Sequence, residues 1–184
     1  MKDFRVILGV CGSIAAPKAI ELTSQLVQRG CQVQVVLTPA ALEFVTPLPF
    51  KTLSREPVLT DLFDEAAGWK PTHIQVAEEA DLLLVAPATA QTLAKMALGL
   101  ADNVLTCLAL ALNPKARVLI APALNCRMWE HPATQAHVTT LQGRGAEFLG
   151  PDSGRLACGT EGPGRLWPVE KIVERALEML SQSP

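Results

Sequence analysis

Short, uninterrupted apolar runs alternate along the chain with longer segments whose apolar residues recur at helical spacing. That alternation is the pattern of strands buried on both faces of a parallel sheet and joined by crossover helices. Arg5 to Val10 reads as the first strand and Val33 to Leu37 as the second. Leu82 to Ala86 and Val118 to Ala121 are two more, both stopping at a proline. Ala16 to Arg29 sets Ile20, Leu22, Leu26 and Val27 on a helix that ends at Gly30. Thr89 to Leu112 reads as two helices broken around Gly99 to Asp102, with Thr89 as an N-cap before Gln91 to Leu98. A helix from Pro132 to Gly143 precedes a short strand near Ala146 to Leu149, and a final helix covers Pro168 to Leu180. Gly150 to Trp167 is so rich in glycine that it reads as an irregular loop, and loops of that length are usually functional.

A length of 184 residues suits one domain, and 49% hydrophobic against 18% charged residues excludes global disorder. Sixteen basic residues face eighteen acidic ones with no basic block, so a nucleic-acid partner is not expected. No apolar run approaches the ~20 residues of a bilayer crossing, and the first residues lead straight into a strand without a secretory segment. A cytoplasmic protein without a membrane partner is the expectation. Cys11, Cys31, Cys107, Cys126 and Cys158 form no C-x-x-C pair, and no histidine stands at ligand spacing from them. Neither a full disulfide framework nor a metal site is expected.

The first strand runs into Gly9-Val10-Cys11-Gly12-Ser13-Ile14-Ala15-Ala16 and then a helix, where free amide groups and the helix dipole can hold a phosphate. Ser13 adds a hydroxyl donor. The loop is neither G-x-G-x-x-G nor a P-loop, and the second strand ends at Thr38 instead of an acidic residue. A ligand with a terminal phosphomonoester, such as FMN, fits better than NAD or a nucleoside triphosphate; a tight turn that binds nothing has the same sequence. Further strand ends carry Thr38-Pro39-Ala40, Pro87 to Thr92 and Pro122 to Asn125. Their small side chains let the backbone approach a flat ring, and Thr89, Gln91, Thr92 and Asn125 can satisfy its polar edges. His73 is the best general-base candidate by pKa class, although a solitary histidine is more often structural. Cys158, within the glycine-rich segment, is the candidate reactive thiol.

Taken together and in this order, the motifs resemble those of the flavin-dependent cysteine decarboxylases, and within them the branch that acts on 4'-phosphopantothenoylcysteine in coenzyme A synthesis. The matching pieces are Gly12 to Ala16, His73-Ile74, Pro87 to Thr92, Asp102-Asn103, Pro122 to Trp129, and Ala157-Cys158-Gly159 with Gly162, Gly164 and Arg165. The resemblance implies a single-domain Rossmann-like (flavodoxin-like) parallel sheet with helices on both faces, over residues 1–184. It implies an FMN phosphate held by Gly12, Ser13 and Ile14, with Thr38, Thr89, Ala90, Gln91, Thr92 and Ala123 around the cofactor. His73 matches the family's essential histidine, and Asn125 the residue that holds the substrate carboxylate, with Met128 and Ala157 beside the substrate. Cys158 matches the cysteine of the substrate clamp. In the family the site lies between subunits of a homotrimer, and four trimers can form a dodecamer.

The implied chemistry oxidises the cysteinyl thiol to create an electron sink, releases carbon dioxide, and reduces the ene-thiol. In this scheme His73 assists thiol deprotonation and Cys158 returns a proton. Gln91, Thr89 and Leu124 depart from the family's Asn, Ser and Met. A peptidyl-cysteine decarboxylase that stops at the ene-thiol is the second enzyme reading, and a non-catalytic flavin-binding regulator the third; the Ala157-Cys158-Gly159 clamp favours the first. With the chain stopping at Pro184, a ligase that makes the substrate is expected elsewhere.

Overall fold

Alternation within each strand decides which helices pack where. The computed structural model describes residues 4–63, 72–157 and 159–182. Strands β1 (Arg5–Val10), β2 (Gln32–Leu37), β3 (Leu82–Ala88), β4 (Arg117–Pro122) and β5 (Glu147–Phe148) form one parallel sheet in the order β2-β1-β3-β4-β5. Val6, Leu8, Leu84 and Ala121 point to one face, where they meet Leu22 and Leu26 of α1 (Lys18–Gln28), Phe50 of α2 (Pro47–Ser54) and Ile172, Val173 and Ala176 of α8 (Val169–Ser181). Their neighbours Ile7, Leu83, Val85 and Ile120 point to the other face. There they pack on Ala77 of α3 (Thr72–Glu79), Leu93 of α4 (Ala90–Leu98), Leu105 and Leu108 of α5 (Val104–Leu110), and Val138 and Leu141 of α7 (Pro132–Gly143). Both sheet faces are therefore covered, as an all-parallel sheet requires. The architecture is the flavodoxin-like doubly wound α/β fold.

The sequence reading and the structure differ in four places. Gly150 to Trp167 is not an irregular loop. It contains an antiparallel hairpin, β6 (Asp152–Arg155) and β7 (Glu161–Arg165). Gly154, Gly162 and Gly164 lie in its strands, at positions where other groups occupy the space a side chain would need. Secondly, β3 does not stop at Pro87. It continues to Ala88 through a cis Ala86–Pro87 bond, the ladder with β4 shifts register between Val85 and Ala88, and the Pro87 carbonyl accepts from the Cys11 amide at 3.2 Å. Thirdly, β4 ends on Pro122 instead of before it. Finally, a 3-10 turn (Pro39–Glu43), α2, α3 and the short α6 (Cys126–Glu130) had no reading in the sequence.

Candidate functional site

In a parallel sheet of this order the first and third strands leave their shared edge in opposite directions, which opens a crevice at their carboxyl ends. A cavity of about 870 Å³ lies there, toward the upper end of the range of ligand sites. One wall is the β1–α1 loop. A Cβ on Gly12 would lie 2.6 Å from Cβ of Ala40 and 2.7 Å from its carbonyl oxygen, so this close approach needs glycine. The amides of Gly12, Ser13 and Ile14 donate to no other described residue. Ser13 Oγ donates to the Ala123 carbonyl at 3.2 Å and accepts from the Ala15 amide at 3.3 Å. Its hydroxyl proton is thus engaged within the protein, unlike the free donor expected from sequence, and what the loop offers an anion is its row of amides.

A second helix start faces the same space. Thr89 caps α4, its Oγ1 accepting from the Thr92 amide at 3.5 Å, as read from sequence. Gln91 and Lys95, one turn apart on α4, both border the cavity. Lys95 Nζ lies 2.8 Å from Asp102 Oδ2, and the Lys95 hydrogen bond holds the Asp102 carboxyl below its ordinary range. Beneath them, burial pushes the Cys11 thiol up, against hydrogen bonds from Thr92 and Thr89. That sulfur is a packed core group with little thiolate character. Thr38 is buried and caps the 3-10 turn, with Oγ1 accepting from the Ala41 amide at 3.3 Å.

The end of β4 and the hairpin close the opposite side. Asn125 caps α6, with Oδ1 accepting from the Arg127 amide at 2.9 Å, and its side chain borders the cavity. The Leu124 amide donates to the Gly164 carbonyl at 3.0 Å, which docks β7 on this loop. Leu156 and Ala157, beyond β6, continue the wall.

The structure therefore brings Gly12, Ser13, Ile14, Thr38, Thr89 and Ala90 to one cavity. Gln91, Thr92, Ala123, Asn125, Met128 and Ala157 border it too. Cys158 lies outside the described residues. His73 is absent from the wall. It occupies the first turn of α3, whose last residue, Glu79, leads directly into the amino end of β3. His73 is thus at the far end of a helix that packs on α5 and β1.

A family model described as Flavoprotein matches residues 1–181. The chain belongs to this flavoprotein family. Its place within the family is among the flavin-dependent cysteine decarboxylases. The chain is 43% identical over 180 residues to the coenzyme A biosynthesis bifunctional protein CoaBC of Vibrio vulnificus, covering 98% of this chain but 44% of that one. It is 42% identical to a probable phosphopantothenoylcysteine decarboxylase of Streptococcus mutans, covering 96% of this chain and 98% of the relative. Among solved structures, a cysteine-to-serine mutant of PPC decarboxylase complexed with pantothenoylaminoethenethiol superposes with TM-score 0.87 at 32% identity, covering 98% and 100% of the two chains. The FMN-dependent cysteine decarboxylase SpaF gives TM-score 0.81 at 30% identity, covering 97% of each chain.

For this flavoprotein, sequence reasoning missed several cavity residues. Lys18, Lys95, Arg155 and Phe44 all border the space. Lys18 and Lys95 were within reach of a helix-facing argument, since each follows a recognised loop by about one turn. Arg155 was not, because its placement depends on a hairpin read as a loop. Among the described residues no group of three or more His, Cys, Asp or Glu is placed to hold a metal ion, and no helix is long and apolar enough to cross a membrane.

Proposed function

We propose that the chain is an FMN-dependent decarboxylase of 4'-phosphopantothenoylcysteine, a cytoplasmic flavoprotein domain over residues 1–184 that serves coenzyme A synthesis. One observation carries the reading: the amides of Gly12, Ser13 and Ile14, unpaired among the described residues, share a cavity with Asn125, Met128 and Ala157. The residues present suit the cofactor. The amides and the start of α1 take its phosphate. Thr38, Thr89, Ala90, Gln91, Thr92 and Ala123 surround the remainder, small where a flat ring must pass and polar where its edges end. When bound, FMN supplies an acceptor and donor of two electrons.

The protein's own residues do the rest. Asn125 binds the substrate carboxylate and orients it over the cavity. His73 takes the proton from the substrate thiol. Because His73 does not border its own chain's cavity, it acts in that of a neighbouring copy, in a homotrimer with the site between subunits. Cys158 returns a proton to the ene-thiol carbon.

The test is anaerobic incubation of flavin-loaded protein with 4'-phosphopantothenoylcysteine, followed by product mass. Loss of carbon dioxide alone, giving the saturated aminoethanethiol, supports the reading. A product lighter by a further pair of hydrogens places the chain with oxidative decarboxylases, and no reaction removes the enzyme reading.

A further inference from the structure

We propose that Arg165 supplies the positive charge that receives the substrate carboxylate beside Asn125, an inference that rests on the decarboxylase reading above. The charged groups on the cavity wall are Lys18, Lys95, Asp102, Arg155 and Arg165. Lys95 is paired with Asp102 at 2.8 Å. Lys18 opens α1, on the wall of the amides assigned to the cofactor phosphate. The two arginines belong to the hairpin, where successive residues of a strand point to opposite faces.

Arg165 is on the face turned toward α6. It stands opposite Asp152 in the ladder, and its side chain reaches along β6 to Gly154, where a Cβ would lie 2.6 Å from Nη1 and 3.0 Å from Cδ. Gly154 pairs with Gly162, and a Cβ on Gly162 would lie 3.3 Å from Cβ of Cys126, the first residue of α6. Arg155 follows Gly154 and points to the other face, opposite Glu161.

Two contacts of β7 bracket Asn125. Gly164, the residue before Arg165, accepts from the Leu124 amide at 3.0 Å, and Gly162 abuts Cys126. Asn125 is the residue between Leu124 and Cys126, and Leu124, Asn125, Gly164 and Arg165 all border the cavity. Arg165 is thus anchored to the loop that bears Asn125.

Its charge has no counterpart among the described residues. Arg165 makes no side-chain hydrogen bond or ion pair with any of them, and Asp152, opposite it, accepts instead from the Ser153 amide through Oδ1 at 2.9 Å. A carboxylate entering the cavity gives up hydration, and a neutral amide alone leaves its charge uncompensated. A guanidinium beside that amide adds planar donors and the opposite charge. Carbon dioxide then leaves as a neutral molecule, so the contact is made with the acid and not with the decarboxylated product. Being a ground-state contact, its loss falls on KM more than on kcat.

Flavin-loaded wild type, R165Q, R165M and R165K are compared by KM for 4'-phosphopantothenoylcysteine and by competitive inhibition with 4'-phosphopantetheine, which keeps the chain and the phosphate but has no carboxylate. R165Q should raise KM about tenfold or more, with a smaller change in kcat and an inhibition constant within about twofold of wild type. R165M, whose unbranched chain still covers Gly154 without the charge, should do the same, and R165K, which keeps the charge, should fall between. The inhibitor separates a lost charge from a loosened hairpin, which would weaken both ligands. A KM unchanged in R165Q and R165M, or a KM and an inhibition constant that rise together, overturns this role of Arg165 alone. A wild type inert on 4'-phosphopantothenoylcysteine overturns the decarboxylase reading, and this inference with it.

Discussion

Leu124 and Gly164 meet backbone to backbone: the Leu124 amide donates to the Gly164 carbonyl at 3.0 Å, and a Cβ on Gly164 would lie 2.2 Å from the Leu124 carbonyl oxygen. This contact joins the hairpin to the end of β4, next to Asn125. Gly164→Ala should push β7 off the loop, because the obstructing atom is backbone and cannot swing aside. We expect a loss of about 1–3 kcal/mol in stability and a rise in substrate KM, with flavin still bound through the opposite wall. Gly143→Ala is the control. Nothing lies within 4 Å of a Cβ there, and alanine should be neutral or mildly stabilising. Denaturant unfolding and flavin absorbance check both variants, and equal stability of the two would show that the contact does not hold the hairpin.

Gly12→Ala probes the other wall. The new Cβ would sit 2.6 Å from Cβ of Ala40 and 2.7 Å from its carbonyl oxygen, so either the 3-10 turn or the amide row must move. Movement of either spoils the anion cradle. Flavin affinity should fall at least about tenfold, the scale of one lost charge-assisted hydrogen bond. Fluorescence titration with FMN reads it, and wild-type affinity in this variant would remove Gly12 from the site.

The same two contacts explain how far the sequence could be read. The four long strands and the helices α1, α4, α5, α7 and α8 were legible because strands buried on both faces are continuously apolar and the helices between them are periodic. The cavity's polar residues were legible for a different reason: ligand loops in this fold follow the carboxyl ends of strands, so marking strand ends marks Thr38, Thr89 and Asn125. The hairpin was not legible. Gly154, Gly162 and Gly164 look like loop residues, and only the positions of Arg165, Cys126 and Leu124 explain why side chains are missing there. Nor could the engagement of Ser13 with Ala123 be foreseen, since the partners are 110 positions apart. The exclusion of His73 from its own chain's cavity is likewise a matter of how α3 packs, which the short motif around it does not encode.

Glu147 and Arg175 fasten the edge strand β5 to α8 through two hydrogen bonds, Arg175 Nη2 to Glu147 Oε2 being 2.7 Å. The Arg175 hydrogen bond holds the Glu147 carboxyl below its ordinary range. A depressed folded pKa means that the ionised form favours the folded state. Its contribution is present above the unfolded pKa and is lost as the pH falls through the folded one. E147Q should therefore melt below wild type at neutral pH, with the gap closing in acid, where both side chains are uncharged. Both groups are partly solvated, so the gap should be modest and should narrow with added salt. Melting curves across the acid range test this, and a gap that widens toward low pH would contradict it.

His73 occupies the first turn of α3 and does not border the cavity of its own chain, whereas Asn125 does. If His73 serves a neighbouring copy, the two residues can be supplied by different chains. H73N and Asn125→Ala should each bind FMN and each lose most turnover as pure proteins. Mixed after dissociation and reassembly, they should regain activity, because some sites will combine an intact Asn125 with an intact partner histidine. In a random trimer of equal parts about a quarter of the sites qualify, one half for each of the two independent contributions. Tagged chains purified for both variants give the measurement its cleanest form. Activity that stays at the level of the separate variants, in mixtures shown by mass to contain both chains, would mean that His73 does not act across subunits.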